Sequence, residues 1–205
     1  MPLRLLQAPE GDVLPLEEAK AQLRVDFDED DALIESYVRA AVEHYDGADG
    51  ILNRALLSQK WALDLPRFPG RSQGWLSERR DHDAMVLQLP LAPVISIDAV
   101  KYNDCAGVLQ TLDPSLYIAR IGEPGSIEPM PGVCWPVTDR RSLPVSVEFT
   151  AGYAVVPQGI KAAIKLLLAD LYENREGQVI DASRVTAVLN ATGDRFVDRL
   201  IFKPA

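Results

Sequence analysis

Two stretches with the helical period, one near each end of the chain, flank a middle that is punctuated by proline and patterned with period two. This division constrains the fold more than any other feature. Near the start, Pro15 suits a first helical turn, where its missing N–H is not needed, and Glu17 and Glu18 sit at the positive end of the helix dipole. Leu16, Ala19, Ala21 and Leu23 give a short apolar stripe that ends near Val25. Asp28 or Asp30 can cap a second, longer helix. Its apolar positions Leu33, Ile34, Tyr37, Val38, Ala41, Val42 and Tyr45 recur at three and four, and Ile51–Leu56 can add one more turn. Near the other end Pro157 opens a third helix to about Glu176, with the stripe Ile160, Ile164, Leu167, Leu168, Leu171 and Tyr172. Gly177 can stop it, and residues 182–190 can form a short fourth helix.

Between these ends the period changes to two. Gln59–Leu65 alternates as a half-buried strand should. Further strands are expected at Met85–Leu89, Val94–Tyr102, Val108–Leu112, Leu116–Ile121 and Val145–Thr150, with a hairpin turn at Asn103–Gly107. Residues 1–13 are expected as an extended arm, residues 66–83 as an exposed loop, and Glu123–Pro144 as an irregular stretch anchored by Trp135. A chain of 205 residues suffices for one core, or one core plus a satellite.

The net charge of −9 is unevenly placed. Residues 1–50 hold thirteen acids against four bases, and the remainder is neutral. A face of that sign repels phosphate, which opposes tight DNA binding but suits a surface that DNA passes without adhering. No apolar run approaches a membrane span. The first residues lack the apolar centre of a secretory signal, so synthesis in a reducing cytoplasm is expected. Cys105 and Cys134 are too few and too far apart for a zinc site of familiar spacing. They read either as two free thiols or as a single disulfide, the former suiting a chain without an export signal.

The chemistry-bearing motifs are missing. Asp26–Asp31 alternates like a calcium loop, yet Asp31 stands where such a loop needs glycine and Tyr37 where it needs glutamate. Capping of the second helix is the simpler role, and a cation shared between subunits stays open. His44 and His82 have no nucleophile at any local spacing. No phosphate-cradling glycine loop, nucleophile elbow or His-Glu-x-x-His occurs. No catalytic residue, cofactor site or metal site is therefore assigned.

Three surfaces are left as candidate contacts. Asp28, Asp30, Asp31 and Glu35 would face a channel or a subunit boundary. Arg67, Arg71, Arg79 and Arg80, with Trp75, form a basic loop that is either a solvated face or an interface with an acidic neighbour. A tail with Arg195, Phe196, Arg199, Leu200, Ile201 and Phe202 either packs on its own core or docks on a partner and becomes ordered there.

The order of these segments resembles a known family. Pro15-Leu16-Glu17-Glu18-Ala19-Lys20, Leu23-Arg24-Val25-Asp26 and Asp49-Gly50-Ile51-Leu52-Asn53-Arg54-Ala55-Leu56 resemble the N-terminal part of tailed-phage head–tail connector (adaptor) proteins. Trp61, Phe149-Thr150-Ala151-Gly152-Tyr153, Pro157 and Leu171-Tyr172-Glu173-Asn174-Arg175-Glu176 match the later part. The resemblance implies a non-enzymatic virion protein at the head–tail junction of a phage, prophage or gene transfer agent, made in the bacterial cytoplasm. Its implied partners are the portal protein, a stopper or tail-terminator protein, and further copies of itself in a ring, commonly twelve, through which DNA passes without sequence-specific contact. No membrane is involved. The implied fold is α+β: a small helical bundle formed from both ends of the chain, with a β-rich insertion between the second and third helices. The corresponding segments are 1–56 (arm and helices), 57–152 (β insertion), 153–193 (remaining helices) and 194–205 (docking tail). Two rivals remain: a tail-completion or baseplate structural protein, and a small hydrolase or carbohydrate-binding β domain. An aromatic or carboxylate-lined pocket among the strands would favour the second.

Overall fold

A computed structural model of the chain describes residues 2–70, 85–139, 143–174, 197 and 200–203. It is a mixed α+β protein with three α-helices and antiparallel sheets among the described residues. Two compact units account for the chain. The first is Met1–Pro9, Ser58–Gly152 and Lys203–Ala205; the second is Glu10–Leu57 and Tyr153–Phe202.

The first unit is built on the period-two segments. Its five-stranded sheet has the order β1 (Leu3–Gln7), β2 (Gln59–Leu65), β8 (Val145–Ala151), β4 (Val94–Asn103), β5 (Leu109–Thr111). Alternation puts Trp61, Leu63 and Leu65 of β2 and Val145, Val147, Phe149 and Ala151 of β8 in the core, while Lys60, Asp64, Ser146 and Glu148 take the other face. A second sheet has the order β3 (Leu87–Gln88), β7 (Ser126–Pro129), β6 (Tyr117–Arg120). Two of these strands carry no period-two signal. β1 lies in the expected arm, where its residues are mostly exposed and backbone pairing with β2 holds them. β7 lies in the proline-rich stretch, and all four of its residues are buried, Glu128 included. The hairpin between β4 and β5 forms at the expected turn. The Asp104 carboxylate accepts the N–H groups of Ala106 and Val108, and Gly107 has φ +81°, a conformation that glycine adopts without strain.

The second unit is helical. It contains α1 (Leu16–Leu23), α2 (Asp31–Tyr45) and α3 (Gln158–Glu173). α1, with 8 residues, is too short to be stable alone in water, and α2 and α3 draw most of their stability from packing. Their apolar stripes meet in one core that includes Leu14, Ile34, Tyr45, Leu52, Leu56, Ile160, Ile164 and Leu168. The extra turn expected over Ile51–Leu56 is not helical. Gly47 donates its N–H to the Arg54 carbonyl (2.7 Å), Ile51 donates to the His44 carbonyl (3.0 Å), and the Asp46 carboxylate accepts the Leu56 N–H (2.7 Å). These bonds fold 46–56 into a tight loop that still buries Leu52, Ala55 and Leu56. Gly50 lies so close to the preceding chain that a Cβ there would stand 2.4 Å from the Asp46 carbonyl oxygen. The expected fourth helix (182–190), Gly177 and His82 lie outside the described residues.

Candidate functional site

The acidic start of α2 is a structural knot. Asp30 occupies the N-cap position, but its side chain makes no capping bond; its Oδ2 accepts the Tyr172 hydroxyl of α3 at 2.7 Å. Asp28 and Asp31 each place a carboxylate oxygen 2.7 Å from the Lys20 ammonium, and Lys20 is only 8% exposed. The hydrogen bonds to Asp28 and Asp31 push Lys20 above its ordinary value, and the bond from Lys20 lowers that of Asp28. Glu18 of α1 likewise reaches Lys165 (2.8 Å) and Lys161 (3.9 Å) of α3. Capping was the simplest sequence reading of the acids. It gives way here because a nearly buried ammonium and a buried-side hydroxyl offer them stronger partners than solvated backbone N–H groups. Glu35 is exposed on α2, and Asp28 keeps most of its side chain in water. Lys20 was legible only as a base within an apolar stripe, Leu16–Leu23, just before an acid run.

The loop 46–56 grips the last described residues of the chain. The Phe202 N–H donates to the Leu52 carbonyl (2.9 Å), and Asn53 Nδ2 donates to the Phe202 carbonyl (3.3 Å). Arg54, 6% exposed, donates from Nε to the Leu200 carbonyl and from Nη1 to the Tyr153 hydroxyl (2.6 Å). Val197 belongs to the buried core of the helical unit, Leu200 and Ile201 pack against it, and Phe202 is 9% exposed. Of the two readings of the tail, packing on its own core describes Val197, Leu200 and Ile201. Arg195, Phe196 and Arg199 lie outside the described residues. The gripping role of Asn53 and Arg54 was missed, since nothing local pairs residue 54 with residue 200.

In the β unit, Phe68 stacks on Trp135 (centroids 4.8 Å apart, planes at 5°) and meets the Tyr102 ring edge-on. Trp135 also donates its indole N–H to the Met85 carbonyl (2.9 Å), so it does anchor the proline-rich stretch. Beside this stack lies an open cleft of about 750 Å³, lined by residues 66–70 and 135–139. Phe68 and Trp135 line it, the aromatic feature that favours the carbohydrate-binding rival, and Asp139 is the one carboxylate among its described lining residues; glycoside cleavage needs two. Arg67 is exposed on the rim; Arg71, Trp75, Arg79 and Arg80 lie outside the described residues. The polar face of the larger sheet is a lattice of charges: Arg4 with Asp64 (2.5 Å), Lys60 with Asp98 and Glu148 (both 3.4 Å), and Lys101 with Glu148. Hydrogen bonds from Arg4 lower Asp64, and the bond from Lys101, then that from Lys60, lowers Glu148.

Among the described residues, no three or more His, Cys, Asp or Glu side chains are grouped to hold a metal ion. No described helix is long and apolar enough to cross a membrane. Both cysteines are free and exposed.

Residues 14–65 match the family of phage gp6-like head-tail connector proteins. No curated protein matches the chain. Among solved structures, the fold is similar to a chain from the neck of an empty GTA particle computed with C6 symmetry, at 25% identity and TM-score 0.69, covering 94% of this chain and 95% of that one. It is similar to a chain in the virion of a native gene transfer agent (GTA) particle, at 26% identity and TM-score 0.68, covering 93% and 94%. A chain from the neck of a native GTA particle computed with C12 symmetry gives 25% identity and TM-score 0.66, covering 94% of each. Over residues 14–65 the chain is thus similar to phage gp6-like head-tail connector proteins, and over nearly its whole length its fold is similar to neck and virion chains of gene transfer agent particles.

Proposed function

We propose that the protein is a structural head–tail connector of a phage-like particle, joining copies of itself into a ring between the portal above and a stopper or tail component below. The observation that carries this reading is the likeness over nearly the whole length of both chains to neck chains of symmetric particles. In this reading the α-helices from both ends of the chain form one bundle, 1–56 with 153–193, and 57–152 is a β insertion into it. The exposed carboxylates Asp28 and Glu35, beside Asp30 and Asp31, face the channel or a subunit boundary, where like charge keeps passing DNA from adhering. The loop with Arg67, Arg71, Trp75, Arg79 and Arg80 meets a neighbouring acidic surface. Residues 194–205 contact the portal, and Val197, Leu200 and Ile201 then exchange their seat on the helical core for one on the partner. In this reading the role is structural and non-enzymatic, as the likeness to neck chains of particles suggests.

The test is genetic and structural together. Particles from a host lacking this gene should accumulate as DNA-filled heads without tails, and electron microscopy of complete particles should place several copies at the neck. Normal tailed particles without the protein, or purified particles that lack it, would overturn the proposal. Its location at the tail tip would favour the tail-completion reading instead.

A further inference from the structure

The larger sheet ends in two strands that nothing described covers. β1 pairs only with β2, and β5 only with β4. In β1 every residue after Leu3 is exposed, and in β5 all three are. A strand wet on both faces is held by its ladder alone, and its outer row of N–H and C=O groups is a template for another strand. Apolar side chains sit at both edges: Leu5 is 48% and Leu6 42% exposed, and Val108 is 54% and Leu109 64% exposed. Long apolar edges are ordinarily blunted by charge or proline, yet β1 carries only Arg4, and β5 carries no charge at all. The segments also differ in sign. Residues 2–9 contain one base and no acid, whereas residues 103–116 contain Asp104 and Asp113 and no base.

We infer that β1 of one copy adds to β5 of the next, so that neighbouring copies share a continuous sheet around the ring. The contact is heterologous: one edge meets a different edge, a pair leaves β5 free on one copy and β1 free on the other to take further copies, and the assembly closes when the rotation per copy divides a full turn. The main chain supplies hydrogen bonds, Leu5 or Leu6 meets Val108 or Leu109 across the new pair, and the opposite signs favour β1 on β5 over β1 on β1. This inference rests on the ring reading above.

The test uses the full chain with Cys105→Ser and Cys134→Ser, carrying one cysteine in β1 (Leu5→Cys or Leu6→Cys) and one in β5 (Leu109→Cys or Gln110→Cys). All four positions are exposed or lie in a fully exposed strand, so folding is not at stake. Mild oxidation of assembled particles should give a ladder of dimers, trimers and higher species for pairs of one parity and not the other, because successive side chains of a strand point to opposite faces. Chains with a single cysteine should stop short of a ladder. Leu109→Lys should weaken self-association of the purified protein by at least tenfold while leaving its thermal unfolding unchanged. A neck that holds several copies but yields no ladder overturns the edge pairing and leaves the ring reading standing. Particles with no copies at the neck overturn the ring reading and this inference with it. Efficient dimers from a β1 cysteine alone, or association unaffected by Leu109→Lys, also overturn it.

Discussion

Phe202→Ala decides whether the end of the chain is seated on its own helical unit. Phe202 is 9% exposed, and core truncations of this kind cost about 3–5 kcal/mol. A side chain near a terminus has an escape that a mid-chain residue lacks: once the tail lets go, no further stability can be lost. The ceiling is therefore the tail's own holding energy. Burial of Val197 and Phe202, with partial burial of Leu200 and Ile201, contributes roughly 5–9 kcal/mol. Fixing those four residues costs roughly 4–8 kcal/mol. The bonds to Leu52, Asn53 and Arg54 add about 1 kcal/mol each. Taken at their midpoints these terms leave about 4 kcal/mol, so Phe202→Ala should remove about 2–3 kcal/mol, most of it. In amide exchange this is a loss of about 30- to 150-fold in protection at the residue-202 N–H, with earlier protease cutting before residue 197. Global unfolding should fall by no more than the same amount. Unchanged protection would show that the tail is not seated at home. A global loss above about 4 kcal/mol would show that it is not separable from the core.

Gly50→Ala places a Cβ 2.4 Å from the Asp46 carbonyl oxygen and 2.6 Å from the Tyr45 carbonyl carbon, both backbone, and should lower the stability of the helical unit in urea by about 1–3 kcal/mol; unchanged stability would sink this account of the loop. Glu148→Gln removes the carboxylate that Lys60 and Lys101 share and should cost about 1–2 kcal/mol at neutral pH. Because Glu148 is held below its ordinary 4.5, its contribution is full above that value and is lost as pH falls through the lowered one; thermal melts of the variant should therefore converge on those of the parent protein on acidification below pH 4.5, and a constant gap would refute the assignment. Lys20→Met strands Asp28 and Asp31 and should lower the melting temperature by more than Asp28→Asn, which leaves the Lys20–Asp31 pair (2.7 Å) in place. Equal effects would show that Asp31 contributes nothing to the knot.

What was legible in the sequence is what a local pattern can encode. The stripes of α2 and α3 and the alternation of β2 and β8 appear in the structure because period follows directly from which face is buried. The Asn103–Gly107 turn was legible because Asp104 and Gly107 carry its geometry themselves. β1 was not, because an edge strand exposed on both faces leaves no alternation to read. β7 was not, because Ser-Ile-Glu-Pro buries all four residues and Glu128 is made tolerable by Arg120, 2.6 Å away. The acid run was legible in part: Asp30 does hold the N-cap position and Asp31 the first turn, but the partners of their side chains were not, since Lys20 and Tyr172 are eight and 142 residues from Asp28 and Asp30, beyond any capping pattern.

The residues that matter most to the helical unit share one property: each joins segments far apart in the chain. Arg54 bonds Leu200 and Tyr153, Asp30 bonds Tyr172, and Glu18 bonds Lys165. α1 and α2 end before β2 begins and α3 follows β8, so no local signal can enforce their meeting. Apolar stripes make that meeting favourable but leave rotation and register loose, since one greasy face fits another in several ways. Charged and hydrogen-bonded pairs do not tolerate such slippage: a misplaced Lys20 or Arg54 would be a buried cation without its acceptors, at a cost of several kcal/mol. Burial thus supplies the drive to bring the helices together, and the polar links across the gap select the one arrangement in which every buried charge is answered.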